Sequence, residues 1–412
     1  MNESSLYQKT VLSNGLRIVT EKIPYVRSVS IGLWIEAGTR DELPEQNGIA
    51  HFLEHMVFKG TENRNAFEIA DALESLGGNL NAFTSKELTS FYAHVLDEHV
   101  GIALDVLSDL ILHPLFDRAE IEKEKNVVIE EIRDMEDTPD DLIFEYFFQD
   151  LFRPHPLSLS TLGKKEIVAK LTRQDLLNFL QNHYTPNRIV LAAAGNVEHE
   201  QIVELAEKYF SHLSGQSQRH LGNLPELRAG RYFWESTAQQ THICLGCPVI
   251  PYNHPKRHAL LLLHTILGSG MSSRLFQLLR EQYALAYSVF SFADFYLDTG
   301  VFGVYIGTDD SKIDAALKLI HGTFQDLRRK KMDPTELEKK KSELKGNLLL
   351  GLESTSNRMS RLAKMEIYLN KFNTLDDVIH DIEKVTLEQI LSVTEEFFSE
   401  KRMVETILKP KT

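Results

Sequence analysis

Three residues in the first quarter of this 412-residue chain have types and spacing suited to metal chemistry. In the segment GIAHFLEHMVFKG, residues 48–60, His51, Glu54 and His55 stand at i, i+3 and i+4. An α-helix turns about 100° per residue, so the three side chains fall on one side. Ile49, Phe52, Leu53, Met56 and Val57 fall on the other, at the spacing of a core-facing helix. Asn47 is placed to cap the start, and Gly60 sits where a helix usually stops. Two neutral imidazoles four residues apart can converge on one zinc ion. The order is H-x-x-E-H, the inverse of the better-known H-E-x-x-H. In either order the glutamate stands one turn from the metal, where it can take a proton from a water.

A catalytic zinc takes three protein ligands and keeps an open position. The segment EIEKEKNVVIEEIRDMED is predicted to be helical and offers Glu131, about 75 residues beyond His55. Glu124 lies two turns earlier and faces nearly the same way. Glu130 points about 100° away, and with Glu120 and Glu122 it fits a solvated charged face. A second candidate cluster, Cys244 and Cys247 in THICLGCPVI, lacks the second C-x-x-C of a zinc ribbon. That stretch has strand character, and an odd spacing sends the two thiols to opposite faces.

The elements that must position these residues follow from the pattern. A strand pair (VLSNGLRIVTEK, VSIGLWIEAGT) leads into the histidine helix. Helix NAFEIADALESLG, the extended stretch GGNLNAFTSKELTSFYAHVL, two further helices and strand NRIVLAAAGNV come after it. Residues 213–230 are polar, hold Gly and Pro, and are expected to link two domains, 1–212 and 231–412. Beyond them the pattern returns. Strand, acidic turn, helix and charged helix recur in VYIGTDDSKIDAALKLIHGTFQDLRRKKMDPTELEKKKSEL. The expectation is an α+β fold made of two homologous domains, each a mixed sheet packed by antiparallel helices, arising by duplication. Aligning Gly60 on Gly268 sets Ala259, Leu262 and Leu263 opposite His51, Glu54 and His55. The second copy is therefore metal-free, and the fold does not require the polar triplet.

Composition narrows the setting. A net charge of −14 argues against nucleic acid and is the wrong sign for an anionic membrane surface. It would instead draw basic peptides into an acidic cleft. No secretory pattern opens the sequence, no apolar run approaches the ~18 residues that span a bilayer, and two cysteines make no disulfide framework. A cytoplasmic setting is the expectation.

HFLEH together with Glu131 resembles the zinc signature of the pitrilysin-type inverzincin peptidases, the family of insulin-degrading enzyme and the mitochondrial processing peptidase. The chain looks most like the short bacterial members. The resemblance implies that His51, His55 and Glu131 hold one zinc per chain, that Glu54 is the general base, and that Glu124 is a supporting carboxylate. NAFTSKELTSFY resembles the family's edge strand, where substrate adds as an extra strand, so that Asn81, Ala82 and Phe83 would meet the peptide. Phe58 matches an aromatic beside the scissile bond. LREQYALAYSV resembles a segment whose arginine and tyrosine, here Arg280 and Tyr287, reach the active site and would stabilise an oxyanion. The implied activity is zinc-dependent endopeptidase cleavage of peptides or unfolded segments by a homodimer with a composite active site. The alternatives are a processing peptidase acting on targeting sequences, whose need for a partner subunit stays open, and a non-catalytic subunit of the same fold. No glycine-rich loop like that of the mitochondrial non-catalytic partner is present.

Overall fold

A computed structural model describes residues 6–329 and 332–411. The first five residues of the expected leaderless start lie outside the described residues. The first half runs β1 (Tyr7–Val11), β2 (Arg17–Lys22), β3 (Ser28–Ile35), α1 (Ile49–Val57), α2 (Ala66–Glu74), β4 (Asn79–Thr84), β5 (Thr89–Leu96), α3 (Val100–Leu112), α4 (Arg118–Asp137), α5 (Pro139–Phe152), α6 (Lys165–Val168), α7 (Arg173–His183), β6 (Ile189–Gly195) and α8 (His199–Phe210). The second runs β7 (Gly230–Ser236), β8 (Thr241–Val249), α9 (Arg257–Gly268), a π-type turn (Phe276–Gln282), β9 (Ala286–Phe295), β10 (Gly300–Thr308), α10 (Ile313–Arg329), α11 (Pro334–Gly351), α12 (Thr355–Leu369), α13 (Leu375–Glu383), α14 (Leu387–Phe397) and β11 (Val404–Pro410).

Two compact units form, and they do not coincide with the two sequence halves. The first comprises residues up to Ile132, Leu159–Gly222 and Gly351–Thr374. The second comprises Arg133–Ser158, Asn223–Leu350 and the chain from Leu375 on. Residues 133–158 and 351–374 are thus exchanged relative to the expected domains 1–212 and 231–412. The expected linker has no helix or strand from 213 to 229, and the unit boundary falls inside it. Its first part is tied to the first unit. The Arg219 guanidinium pairs with buried Asp41 at 2.7 Å, and the Leu221 carbonyl accepts from Arg40 at 2.7 Å.

The first unit's sheet has the order β1-β2-β6-β3-β5-β4. β2 and β6 are parallel and the other pairs antiparallel. The expected β2–β3 pair does not form, because β6 lies between them; β2 pairs instead with β1 through the turn at Gly15. Alternation along the strands sorts the two faces. Ile31, Leu33, Leu191 and Ala193 join α1, α3 and the helices beyond them in one core. Trp34, Val190, Ala192 and Ala194 face α12 through Met359, Leu362 and Ala363. Small residues let that helix approach: a Cβ on Gly32 would stand 3.2 Å from Met359 Sδ.

The second unit repeats this plan without a counterpart to β1, in the order β7-β11-β8-β10-β9 with β7 and β11 parallel. Ile243, Leu245, Val304 and Ile306 pack under α9, α10 and α14. On the other face Cys244, Tyr305 and Leu408 meet Ile143, Phe147 and Leu151 of α5. Each sheet is therefore covered on one side by a helix from the other half of the sequence. Cys244 and Cys247 are free, buried, and on opposite faces of β8, as the odd spacing requires.

Candidate metal centre

α1 forms as the spacing predicts, with Ile49, Phe52, Leu53, Met56 and Val57 fully buried and the polar triplet on the opposite side. Its start is built differently from the expectation. Gly48, at φ +96°, is the cap residue, and a Cβ there would stand 2.8 Å from the Gly163 Cα. Asn47 does not cap the helix; its side chain donates to Glu42 at 2.8 Å and to the Ser160 carbonyl at 2.8 Å. The first-turn amides are taken by Glu42, which accepts from Gly48 N at 2.8 Å and Ala50 N at 2.9 Å. Burial pushes Glu42 up to about 8 against the pull of these bonds. Glu42 and Gly48 are the parts of this start that the hydrophobic period could not disclose.

His51 Nε2 lies 3.8 Å and His55 Nε2 3.5 Å from Glu131 Oε2. A tetrahedral zinc with bonds of about 2.0–2.1 Å separates its ligand atoms by about 3.3–3.4 Å, so the two separations to Glu131 come within about 0.5 Å of what the ion needs. Among the described residues this is the one group of three such side chains able to hold a metal. Glu131 is on α4, half-exposed, while Glu130 points away and is exposed. Glu124, one of the buried residues of α4, accepts from His55 Nδ1 at 2.8 Å and pairs with Lys59 at 2.7 Å. That bond puts the His55 proton on Nδ1 and turns Nε2 toward the metal position. Glu124 is not one of the three side chains grouped to hold a metal.

Burial opposes the charged forms of His51, His55 and Glu54. It lowers His51 to about 3, with the neighbouring His55 adding to the effect. For His55 the burial penalty is outweighed by Glu124 and Glu131, and the net shift is upward. Burial raises Glu54, while a hydrogen bond from Thr84 on β4 pulls the other way. Both a neutral His51 and a carboxylate with raised basicity suit metal binding and proton acceptance.

β4 is the terminal strand of its sheet. Leu80 and Ala82 pack toward the α1 side. Phe83 turns to the other face, where its ring meets Trp34 at 5.5 Å and Tyr92 at 6.3 Å. The Phe83 ring thus packs against aromatic neighbours on the face of the sheet opposite α1. Asn81 is exposed, and its Oδ1 accepts from the Ala82 amide at 2.8 Å. Phe58, at the end of α1, is half-buried with its ring 6.2 Å from Phe91. Arg280 and Tyr287 belong to the second unit, where the guanidinium lies 5.3 Å from the Tyr287 ring and 4.8 Å from Phe276. Tyr287 is exposed. Lys59, Thr84 and Glu42 were not singled out in the sequence. Thr84 alone had a signal, since it shares strand parity with Ala82.

His51, His55 and Glu131 form a group that could hold a metal ion, and similar proteins carry names that include zinc. Residues 17–165 match the model of the insulinase family, peptidase family M16, and residues 170–344 match the peptidase M16 inactive domain. The chain belongs to the M16 peptidase family. An uncharacterized zinc protease of Bacillus subtilis (strain 168) is 41% identical over 395 residues, covering 96% of each chain. An uncharacterized zinc protease of Mycobacterium tuberculosis (strain H37Rv) is 38% identical over 401 residues, 96% of this chain and 91% of its own. The fold matches a crystal structure of a protease from Helicobacter pylori with a TM-score of 0.92, at 24% identity and with 98% and 99% of the two chains covered. Among the described residues no helix is long and apolar enough to cross a membrane.

Proposed function

We propose that the protein is a zinc-dependent endopeptidase acting on peptides and unfolded segments, with one zinc per chain. The observation that carries this reading is the convergence of His51 Nε2, His55 Nε2 and Glu131 Oε2 beside a glutamate on the same helix. A zinc ion held there would polarise the scissile carbonyl and acidify a water. Glu54 accepts that water's proton and delivers it to the leaving amine. Glu124 fixes the His55 ring, and Glu42 holds the first turn that carries His51. The free edge of β4 binds substrate as an added strand, largely through main-chain hydrogen bonds and therefore with little sequence demand. Arg280 and Tyr287 supply donors for the developing oxyanion in a cytoplasmic homodimer whose two chains share their sites. Presence of all the metal-site residues favours catalysis over a purely structural subunit. The test is to incubate the zinc-loaded protein with a mixed peptide library and map the cuts by mass spectrometry. Internal cuts that vanish on chelation are expected; an intact library refutes the reading.

A further inference from the structure

Among the described residues, Thr84 is the one side chain that donates a hydrogen bond to Glu54. It binds Oε2 and leaves Oε1 for the proton. Thr84 is the last residue of β4 and the register partner of Thr89. Thr89 is fully buried, and its hydroxyl donates to the Ala37 carbonyl at 2.9 Å. The two threonine hydroxyls lie 3.5 Å apart, so the donor to Glu54 stands over a buried, hydrogen-bonded neighbour. A free glutamate side chain samples many rotamers, and holding one oxygen removes most of that freedom. The geometry points to Thr84 as a positioning residue, which fixes the Glu54 carboxylate and ties it to the edge strand β4.

This inference rests on the peptidase reading and adds a coupling to it. A peptide that extends the sheet grips the strand whose final side chain holds the base. Docking and alignment of the base then share one element, and misplacing the base costs turnover rather than affinity. Thr84→Val keeps the shape and removes the donor; Thr84→Ser keeps the donor.

Expected for Thr84→Val are unchanged zinc content and melting temperature, a KM within about twofold, and a kcat lower by about 10–100-fold. Thr84→Ser should stay within about threefold of the unmodified enzyme. In a Glu54→Gln background Thr84→Val should cost nothing further, because the two act through one carboxylate. A Thr84→Val enzyme with full kcat, or with an equal loss in both backgrounds, overturns the proposal. Crystal structures of the unmodified protein and Thr84→Val give an arm independent of activity, and Thr84→Ala serves if the valine variant does not fold. A Glu54 side chain that changes rotamer supports the role, and one that stays in place overturns it. If the unmodified protein cuts no peptide, the peptidase reading falls, and the Glu54 rotamer then decides the positioning role alone.

Discussion

α1 and α9 occupy equivalent places in two copies of one fold, each packed beside the terminal strand of its sheet, β4 or β9. In α9, Ala259, Leu262 and Leu263 are buried, Ala259 at 2% exposure and the two leucines at 0%. Those three match Ile49, Phe52 and Leu53 on the back of α1, so the expected alignment of Gly60 on Gly268 is two residues out of phase; the places of His51, Glu54 and His55, where burial works against their charged forms, fall to Leu261, His264 and Thr265. The back of α1 tolerates this, since each of its five large buried apolar side chains contributes about 1.5–3 kcal/mol. The contrast separates two demands on one helix: the fold asks for an apolar back, and the metal chemistry asks for the front.

Making the front of α1 apolar is the most severe way to test that separation. His51→Ala/Glu54→Leu/His55→Leu should bind no zinc and cleave nothing, yet melt no lower than the zinc-free parent. Calorimetry on both proteins checks this, and a melting point several degrees lower would mean that the triplet supports the fold. Less drastic is Glu54→Gln, which keeps the shape and cannot accept a proton. It should retain full zinc and lose about 10²–10⁴-fold in kcat. Metal analysis beside steady-state kinetics decides it, and near-parental turnover would remove Glu54 from the base role.

Smaller again is the pair on α4. Glu131→Gln should weaken zinc binding by at least about tenfold, whereas Glu130→Gln should leave it unchanged. Competition with a chromogenic chelator measures both, and the reverse order would reassign the ligand.

The mildest test lies on α9, which carries two histidines, His258 and His264. Burial, helped by Arg257, lowers His258 to about 4, against the upward pull of Asp381. The unfolded chain takes up a proton below about 6.5 and the folded one does not until about 4. The resulting stability is therefore full above pH 6.5 and lost as pH falls toward 4. His258→Leu should flatten melting temperature against pH across that window. An unchanged slope would show that other groups set it.

How much of this could be read from the sequence divides along a physical line. The period of α1 disclosed its two faces, and the phase of α4 separated Glu131 from Glu130, because helical geometry is local. Strand parity likewise put Cys244 and Cys247 on opposite faces. Glu42, Thr84 and Lys59 escaped notice because each acts across a tertiary contact, from a preceding loop, a strand end and a helix end. The β2–β3 pairing failed for a related reason. β6, more than 150 residues further along, takes the place between them, and no local pattern specifies that insertion. The exchange of α5 and α12 was invisible for the same cause, since each helix has an ordinary amphipathic pattern and nothing in it names the sheet it will cover.

That exchange bears on how such a chain could be divided. A gene split in the linker would produce a first fragment carrying α5 without the sheet it covers. The face of its own sheet around Trp34 and Ala192 would lie bare for want of α12. The second fragment would bare the face around Cys244 and Tyr305 in the same way. Neither fragment would be autonomous, and each would be soluble chiefly in the company of the other. Fission of this protein would thus yield an obligate pair of subunits from the outset, with mutual dependence inherited from the fold rather than acquired later.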